Sequence, residues 1–361
     1  MQAIRLHGPH DLRCDEIPEP PPPEAGEVTI AISAVGVCGS DIHMYETGGI
    51  GGRFVDEPVA LGHEFAGTVT AVGESARTED GLPLEVGSRV TVDPSIPCGH
   101  CEPCRNGHPN LCPDHIFFGV PPDPGSLCER MNVPSRNCYP VPDMMSDAAA
   151  AMLEPLGVAL HAVDLGKINQ GDAVVVFGAG PIGLLLVVLC RIAGASAVHV
   201  FEPMAARRAH AESLGAIGWN VATEATTAAV VQPFLDATDG RGADVGFEAA
   251  DAGGSVDQTF TATRIGGRVV LVGIPAHDRT DFGHAMPRRK GLTVRFARRM
   301  KHTYPRVLEL IEHPLMRGVL DGLVSHRFSL AETKAAFDLA ESLADGVVKA
   351  VVEPTRWSGA G

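Results

Sequence analysis

Four of the chain's nine cysteines lie in a single short loop, which raises the question of what four thiols could do together. The loop reads CGHCEPCRNGHPNLC, and its thiols belong to Cys98, Cys101, Cys104 and Cys112. Disulfides, an iron–sulfur cluster and a zinc site are the three candidates. A ferredoxin-type cluster has a last gap of about three residues, whereas this loop has the spacing C-x2-C-x2-C-x7-C. Four thiolates in a Gly- and Pro-rich loop favour a closed tetrahedral zinc, which orders the loop and does no chemistry.

A metal that takes part in chemistry needs an open coordination position and a different set of ligands. Cys38 in VCGSDIH and the pair His63 and Glu64 in GHEFAGTVTAVG are suitable types. A single cysteine or histidine is, however, more often part of the packed core than a ligand. Taken alone, these two stretches leave both interpretations open.

A glycine-rich turn follows the apolar run AVVVF and opens a helical pattern. The motif G-x-G-x-x-G is weak alone, but strand, tight turn and helix together are the context that dinucleotide binding requires. Gly178 permits the turn, Gly180 lets the backbone approach a pyrophosphate, and Gly183 allows close helix packing. The helix N-terminus then faces the phosphate charge. The alternative is a glycine turn in an α/β protein that binds no cofactor.

Two further residues bear on which dinucleotide would bind. Glu202 ends the next predicted strand, about twenty residues on, where an acid bonds the ribose hydroxyls of NAD and repels the extra phosphate of NADP. Arg207 follows five residues later and could flank the adenine or the ribose. The predicted cofactor is therefore NAD.

The elements that must position these groups differ between the two parts of the chain. The first ~150 residues show short Val/Ile/Thr runs bounded by Gly and Pro, such as EVTIAISAVGV, which predict strands. From Ala149 onward, helical and strand patterns alternate, which favours a parallel sheet covered on both faces. AAAMLEPLGVALHAV predicts a helix with Pro155 near an end or a kink. The alternation ends near Val294, and the tail has helices and a last strand that could rejoin the first domain.

Composition excludes several classes of protein. The net charge of −15 disfavours nucleic-acid binding, because the phosphate backbone is also negative. The uncharged stretch AVVVFGAGPIGLLLVVLC is the only candidate membrane span, but glycines and a proline interrupt it, and strand–turn–helix explains it better. The N-terminal residues show no apolar signal segment. We therefore expect a cytoplasmic protein, in which thiols stay reduced.

The pattern G-H-E-x2-G-x5-G-x2-A is present in full from Gly62 to Ala76. It resembles the signature of zinc-containing medium-chain alcohol dehydrogenases, and the four-cysteine loop and the glycine motif occur in that family's order. The resemblance covers essentially the whole chain. It implies an α/β protein with a GroES-like β-barrel catalytic domain, residues 1–155 with 295–361 returning to it. A Rossmann domain, residues 156–294, would bind NAD, and the protein would form a homodimer or homotetramer.

One position indicates which branch of that family the chain resembles. Glu154, in LEPLGVALHA, stands where the alcohol-oxidising branch usually has a cysteine. A glutamate at this position resembles the pattern of the sorbitol and xylitol dehydrogenases. The resemblance implies that Cys38 and His63 bind a catalytic zinc, with Glu64 as the third ligand. Glu154 would lie by the metal-bound water or substrate, or bind the metal directly; the sequence leaves the choice of carboxylate open.

The resemblance also implies roles around the reacting alcohol. Ser40 would bond the substrate hydroxyl, and His43 would belong to an outer proton relay. Predicted substrate contacts are Tyr45, Phe118 and Arg295. Further predicted cofactor contacts are Pro181, Ile182, Val272 and Ile274.

The expected activity is hydride transfer from a secondary alcohol of a polyol to NAD, giving a ketose. Threonine or sugar-acid oxidation is the alternative within the family, and a basic cluster, Arg295 to His302, could select a carboxylate or a phosphorylated polyol. The cluster's alternative role is a solvated surface. A third class is a non-catalytic relative that has lost the catalytic metal. Such a protein should lack a metal ligand, whereas Cys38, His63, Glu64 and Glu154 are all present.

Overall fold

The computed structural model describes residues 1–221, 226–250, 252–275 and 279–354. In this part of the chain, the strands are β1 (Gln2–Leu6), β2 (Leu12–Glu16), β3 (Glu27–Gly36), β4 (Gly49–Ile50), β5 (Arg53–Phe54), β6 (Val59–Ala60), β7 (Glu64–Val72), β8 (Arg89–Val92), β9 (Ser95–Ile96), β10 (Ile116–Phe117), β11 (Arg130–Pro134), β12 (Cys138–Pro140), β13 (Ala173–Phe177), β14 (Ala197–Phe201), β15 (Ile217–Trp219), β16 (Ala243–Glu248), β17 (Thr263–Leu271), β18 (Thr293–Phe296), β19 (Val324–Ser329) and β20 (Lys349–Glu353).

The α-helices are α1 (Gly39–Thr47), α2 (Glu102–Arg105), α3 (Asp147–Ala151), α4 (Leu153–Gly166), α5 (Pro181–Ile192), α6 (Ala205–Ser213), α7 (Thr227–Ala237), α8 (Ser255–Ala262), α9 (Ala285–Lys290), α10 (Tyr304–Leu310), α11 (Val319–Leu323) and α12 (Thr333–Ser342). Short 3-10 helices span Pro109–Leu111, Ser135–Asn137, Pro314–Met316 and Leu330–Glu332.

The chain divides into two compact units. The first contains Met1–Glu154, Tyr304–Glu312 and the segment from Arg317 onward, and the second contains Pro155–Thr303 with His313–Met316. The domain boundaries given by the sequence, after residue 155 and before residue 295, remain a prediction.

The first unit is built on a mainly antiparallel sheet with the strand order β12-β8-β7-β3-β20-β19, with β11 also paired to β3. Alternate residues of β3, Val28, Ile30 and Ile32, are fully buried, as expected for a strand with one face on a core. The last strand, β20, pairs antiparallel with the end of β3 at Val351 and Gly36. The chain's C-terminal return therefore completes the sheet of the first unit.

The second unit holds a six-stranded parallel sheet in the order β15-β14-β13-β16-β17-β18. Numbered along the unit, this is 3-2-1-4-5-6, the doubly wound order that binds dinucleotides. Every residue of β16 is buried, which fits a strand covered on both faces. The parallel sheet predicted from the alternating pattern is confirmed. The uncharged stretch beginning at Ala173 forms β13 and α5, a strand and a helix as predicted.

The segment predicted as one helix from Ala149 onward is two. α3 ends at Ala151, and α4 begins at Leu153. Pro155 lies in the first turn of α4, where its missing N–H costs no intrahelical bond. Together, Asp147–Gly166 are long and apolar enough to cross a membrane by length and composition, but 83% of their most apolar window is buried, as in the core helix of a globular fold.

Candidate active site and metal centres

The four cysteines of the loop converge on one point. All are free thiols, and the sulfur atoms of Cys98, Cys101, Cys104 and Cys112 lie within 4.8 Å of one another. The Sγ atoms of Cys101 and Cys112 are 3.8 Å apart, too far for a disulfide. A tetrahedron with metal–sulfur bonds of about 2.3 Å has sulfurs about 3.8 Å apart. The spacing therefore fits the predicted closed zinc site.

Backbone amides favour the thiolate form of one cysteine in this loop, Cys98, whereas burial and the neighbouring thiols raise the pKa of Cys101 to about 12. The amides of His100 and Cys101 lower the pKa of Cys98 to about 6. The Cys101 N–H lies 3.4 Å from the Cys98 sulfur, and the Cys98 N–H lies 3.4 Å from the Cys112 sulfur. Because a metal binds the thiolate form, these amides favour metal binding at Cys98.

A second cluster brings together Cys38, His63 and Glu64, which sequence reasoning named from two separate stretches. Cys38 precedes α1, His63 precedes β7, and Glu64 begins β7. One donor atom from each lies within 4.8 Å of the others, and His63 and Glu64 are buried. Cysteine sulfur, histidine nitrogen and carboxylate oxygen are all ligands that zinc takes, and a set of three leaves the fourth position open, as a catalytic zinc requires.

The His63 ring is held between two polar groups. Its Nδ1 lies 3.4 Å from Asp41 Oδ1, and its Nε2 lies 3.4 Å from Ser40 Oγ. Burial alone would lower the pKa of His63, but the negative charges of Asp41 and Cys38 raise it well above its ordinary value. Asp41 also accepts a bond from the Cys38 amide at 3.0 Å. Asp41 thus lies beside the ring and fixes the turn that carries Cys38.

Glu64 is engaged by a buried lysine. Lys349 Nζ lies 2.9 Å from Glu64 Oε1 and 2.7 Å from Glu64 Oε2. Burial alone would lower the pKa of Lys349, but the charge of Glu64 raises it. The two side chains, 3% and 1% exposed, form a buried salt bridge in the first unit.

Glu154 is a second buried carboxyl group in the first unit, 4% exposed. Burial raises its pKa to about 8, with Glu64 and Asp93 adding to the rise and His63 opposing it. These interactions make Glu154 a neighbour of the cluster, although it does not belong to the compact set of three donors.

Three other predicted residues of the first unit occupy different surroundings. His43 Nδ1 lies 3.7 Å from Glu46. Tyr45 is 1% exposed, and its hydroxyl donates to Asp338 at 2.8 Å. Phe118 is buried and packs edge-on to Phe65. The substrate role of Tyr45 is the least favoured by these contacts, because its hydroxyl is already bonded within the core.

The glycine-rich turn has the geometry that its motif predicts. Gly178 has φ of 97°, and a Cβ there would lie 2.7 Å from the carbonyl oxygen of Ala249. A Cβ at Gly183 would lie 2.0 Å from the Gly178 oxygen, so helix α5 packs directly on the turn. Gly180 faces open space, and the nearest atom to its Cβ position is Arg207 Nη1 at 4.0 Å. This space fits a pyrophosphate against the start of α5, whose first residues are Pro181 and Ile182.

The acid and the arginine after β14 both face this turn. Glu202 is buried, and its carboxylate accepts from Ala179 N at 2.8 Å and from Met204 N at 2.9 Å. A carboxylate has about four acceptor sites, so two remain for ribose hydroxyls. Arg207 lies by Gly180, closer to the expected phosphate than the sequence indicated. Burial lowers its pKa.

The remaining predicted contacts lie at the ends of the second unit's strands. Val272 directly follows β17, and its amide donates to the Glu248 carbonyl at 2.8 Å. Ile274 is 48% exposed. Arg295 lies in β18, opposite Val270.

Sequence reasoning missed Asp41 and Lys349. Asp41 follows Cys38 by three residues, a spacing at which a side chain often bonds the first amide of a helix, so a local signal existed. Lys349 is 285 residues from Glu64, and no local pattern connects them.

Two family models match the chain. The alcohol dehydrogenase GroES-like domain matches residues 24–143, and the zinc-binding dehydrogenase domain matches residues 181–313. Together with the two sheets, they confirm the predicted GroES-like and Rossmann folds.

Individual relatives match over almost their whole length. Sorbitol dehydrogenase of Bacillus subtilis is 31% identical over 358 residues, covering 99% of this chain and 98% of that one. The crystal structure of an Escherichia coli oxidoreductase of unknown specificity has a TM-score of 0.88 and 30% identity, covering 98% of each chain.

Related structures hold nicotinamide cofactors. An E. coli dehydrogenase complexed with NADH has a TM-score of 0.82 and 29% identity, and a zinc-binding dehydrogenase of Sinorhizobium meliloti bound to NADP has 0.83 and 30%. Each match covers 98% of this chain and 99% of the other. The two donor sets and the open glycine turn fit zinc and such a cofactor, so this chain is an oxidoreductase that uses both. With full-length identity of this order, it belongs to the zinc-containing medium-chain alcohol dehydrogenases, in the branch of the sorbitol dehydrogenases.

Proposed function

We propose that the chain oxidises a secondary alcohol of a polyol to a ketose with NAD as the hydride acceptor. The convergence of Cys38, His63 and Glu64, with the carboxyl group of Glu154 nearby, carries this proposal. The relatives named as sorbitol dehydrogenases, at 31% identity and above, support a polyol as the substrate.

In this proposal, Cys38, His63 and Glu64 hold a catalytic zinc, and the four cysteines hold a structural one. When bound, the zinc lowers the pKa of the alcohol and the nicotinamide takes the hydride. The Ser40 hydroxyl, whose Oγ lies 3.4 Å from His63 Nε2, would bond the substrate hydroxyl and accept its proton while passing its own proton on. His43 passes that proton outward, and Glu154 holds the substrate or a water beside the metal.

The test is NADH formation, followed by absorbance, with a panel of polyols, threonine and simple alcohols. Oxidation of polyols in preference to the other two classes, and its loss on chelation with recovery on adding zinc, is the expected result. Turnover of threonine alone, or turnover that survives complete removal of zinc, would contradict the proposal.

NAD is the expected cofactor because Glu202 lies where the adenosine ribose would bind. Changing Glu202 to alanine removes the ribose bonds and the repulsion of the NADP phosphate together. We expect the preference for NAD over NADP to fall by at least about tenfold, or about 1.4 kcal/mol. The measurement is kcat/KM for both cofactors.

Glu212→Ala is the matched control, since it removes the same charge from an exposed position at the end of α6. It should leave the preference unchanged. A wild-type enzyme that used both cofactors equally well would contradict the assignment of Glu202.

An anionic substrate is the second candidate, favoured by the cluster from Arg295 to His302. Arg298 and His302 are exposed, and Arg299 and His302 have φ of 53° and 46°. Left-handed backbone at non-glycine residues is costly and clusters at functional sites. Guanidinium groups there would hold a carboxylate or a phosphate.

A matched set of a polyol, its aldonic acid and its phosphate ester separates the two candidates. If the anion is the substrate, its kcat/KM should exceed that of the neutral polyol. Arg298→Ala should then lower the kcat/KM for the anion at least about tenfold, which is about 1.4 kcal/mol. Arg136→Ala, which removes an exposed arginine from the first unit, is the control. Preference for the neutral polyol, with no effect of Arg298→Ala, would exclude the anion.

The proposal includes a homodimer or homotetramer in the cytoplasm. β18 ends the described order of the parallel sheet, and Phe296 on this strand is 73% exposed. An edge strand with an exposed aromatic side chain favours association between chains. Reduced thiols in the four-cysteine loop fit the cytoplasm.

A further inference from the structure

Lys349 is a buried ammonium group beside the predicted ligands of the catalytic zinc. Its side chain is 3% exposed, and lysine is almost never buried unless it is paired. It begins β20, the strand by which the chain's C-terminal segment returns to β3. No step of the proposed reaction uses Lys349, so the burial of its charge beside the ligands needs a different explanation.

The three donors of this ammonium group are all used. Two go to the oxygens of Glu64, at 2.9 and 2.7 Å, and the third goes to the carbonyl of Val37 at 3.0 Å. An ammonium group has three hydrogens and therefore no donor to spare. Both acceptors belong to segments that carry metal donors, because Val37 directly precedes Cys38. Lys349 thus connects the two segments that carry the three donors, the one with Cys38 and the one with His63 and Glu64.

The position of the Glu64 carboxylate is restricted by the backbone around it. A Cβ on Gly36 would be 2.2 Å from Glu64 Oε2, so the glycine at the end of β3 makes room for this oxygen. The amide of Val37 donates to the carbonyl of Ala350 at 3.0 Å, which fixes β20 beside the same turn. The orientation of Glu64 toward Cys38 and His63 therefore depends on β20.

We propose that Lys349 is a positioning residue for the catalytic zinc, which orients Glu64 as the carboxylate ligand and fixes the backbone that carries Cys38. The inference rests on the proposed zinc site. Removing the hydrogen-bond partner of a metal ligand typically lowers metal affinity about 10–100-fold. The charge of Lys349 acts in the opposite sense, because a cation near Zn²⁺ repels it. Weaker zinc binding after removal of Lys349 therefore indicates a positioning role, and tighter binding indicates an effect of its charge alone.

The experiment measures the zinc affinity of the full chain by competition with a chromophoric chelator, for wild type and Lys349→Met. Zinc in the four-cysteine loop is the internal reference. We expect the second zinc to bind about 10–100-fold more weakly in the variant, and the visible spectrum of the cobalt(II)-substituted site to change. Equal or tighter zinc binding with an unchanged spectrum would overturn the inference.

Two further variants keep the test decisive. Lys290→Met is the matched control, since Lys290 Nζ also has three acceptors, the carbonyls of Phe260, Thr261 and Thr263 in the second unit. It should leave zinc affinity and the cobalt spectrum unchanged; an equal loss of affinity there would overturn the inference.

The double variant Lys349→Met with Glu64→Gln removes both charges, so we expect it to fold even where the single variant leaves an unpaired buried ion. It is expected to bind the second zinc weakly, and wild-type affinity in it would overturn the inference. If wild type binds zinc only in the four-cysteine loop, the proposed function fails as well. If wild type binds both ions and the Lys349 variant matches it, only the role of Lys349 fails.

Discussion

Replacing His63 with alanine is expected to abolish alcohol oxidation while the protein stays folded. The residue is 4% exposed, and its ring supplies the only nitrogen of the compact donor set. Loss of a hydrogen-bond partner of a metal ligand costs about 10–100-fold, so loss of the ligand itself should cost more than about 100-fold in kcat/KM. The measurement is kcat/KM with the best polyol, together with zinc content and the circular dichroism spectrum.

His199→Ala is the control for the loss of a buried imidazole. His199 is 9% exposed and accepts a bond from Trp219 Nε1 at 3.1 Å in the second unit. The control should lower stability through lost packing but keep both zinc ions. Substantial turnover in a folded His63 variant that has lost one zinc would show that the chemistry does not depend on this site.

Replacing Cys112 with serine is expected to have its main effect on stability. Cys112 is fully buried, and its sulfur lies 3.8 Å from that of Cys101. A structural zinc contributes on the order of 10 kcal/mol to the folding of the segment that binds it, and a three-cysteine site retains only part of this. A fall of several kcal/mol in the free energy of unfolding would lower Tm by roughly 5 °C in a chain of this size. Thermal unfolding and zinc content check this result.

Cys138→Ser is the matched control, because Cys138 is equally buried and belongs to neither donor set. It reports the cost of burying a hydroxyl in place of a thiol, without a metal. A Cys112 variant as stable as the Cys138 variant, with unchanged zinc content, would contradict the structural site.

The sequence alone determined those groups of functional residues that are close together along the chain. The four cysteines, the glycines of the turn, and the pair of His63 and Glu64 each lie within a stretch of fifteen residues or fewer. Local backbone geometry therefore brings their donors close in any fold that forms the loop. The alternating pattern after Ala149 likewise predicted a parallel sheet, because a strand buried on both faces is apolar throughout.

Only the tertiary structure decided the relations that span the chain. It brought Cys38 to His63 and Glu64, and it carried Lys349 across 285 residues to the same carboxylate. It also directed the hydroxyl of Tyr45 to Asp338 and brought Arg207 to Gly180. These contacts depend on which strands pair and in which register, and strand pairing is set by the burial of whole faces, with no local signal at the residues that meet.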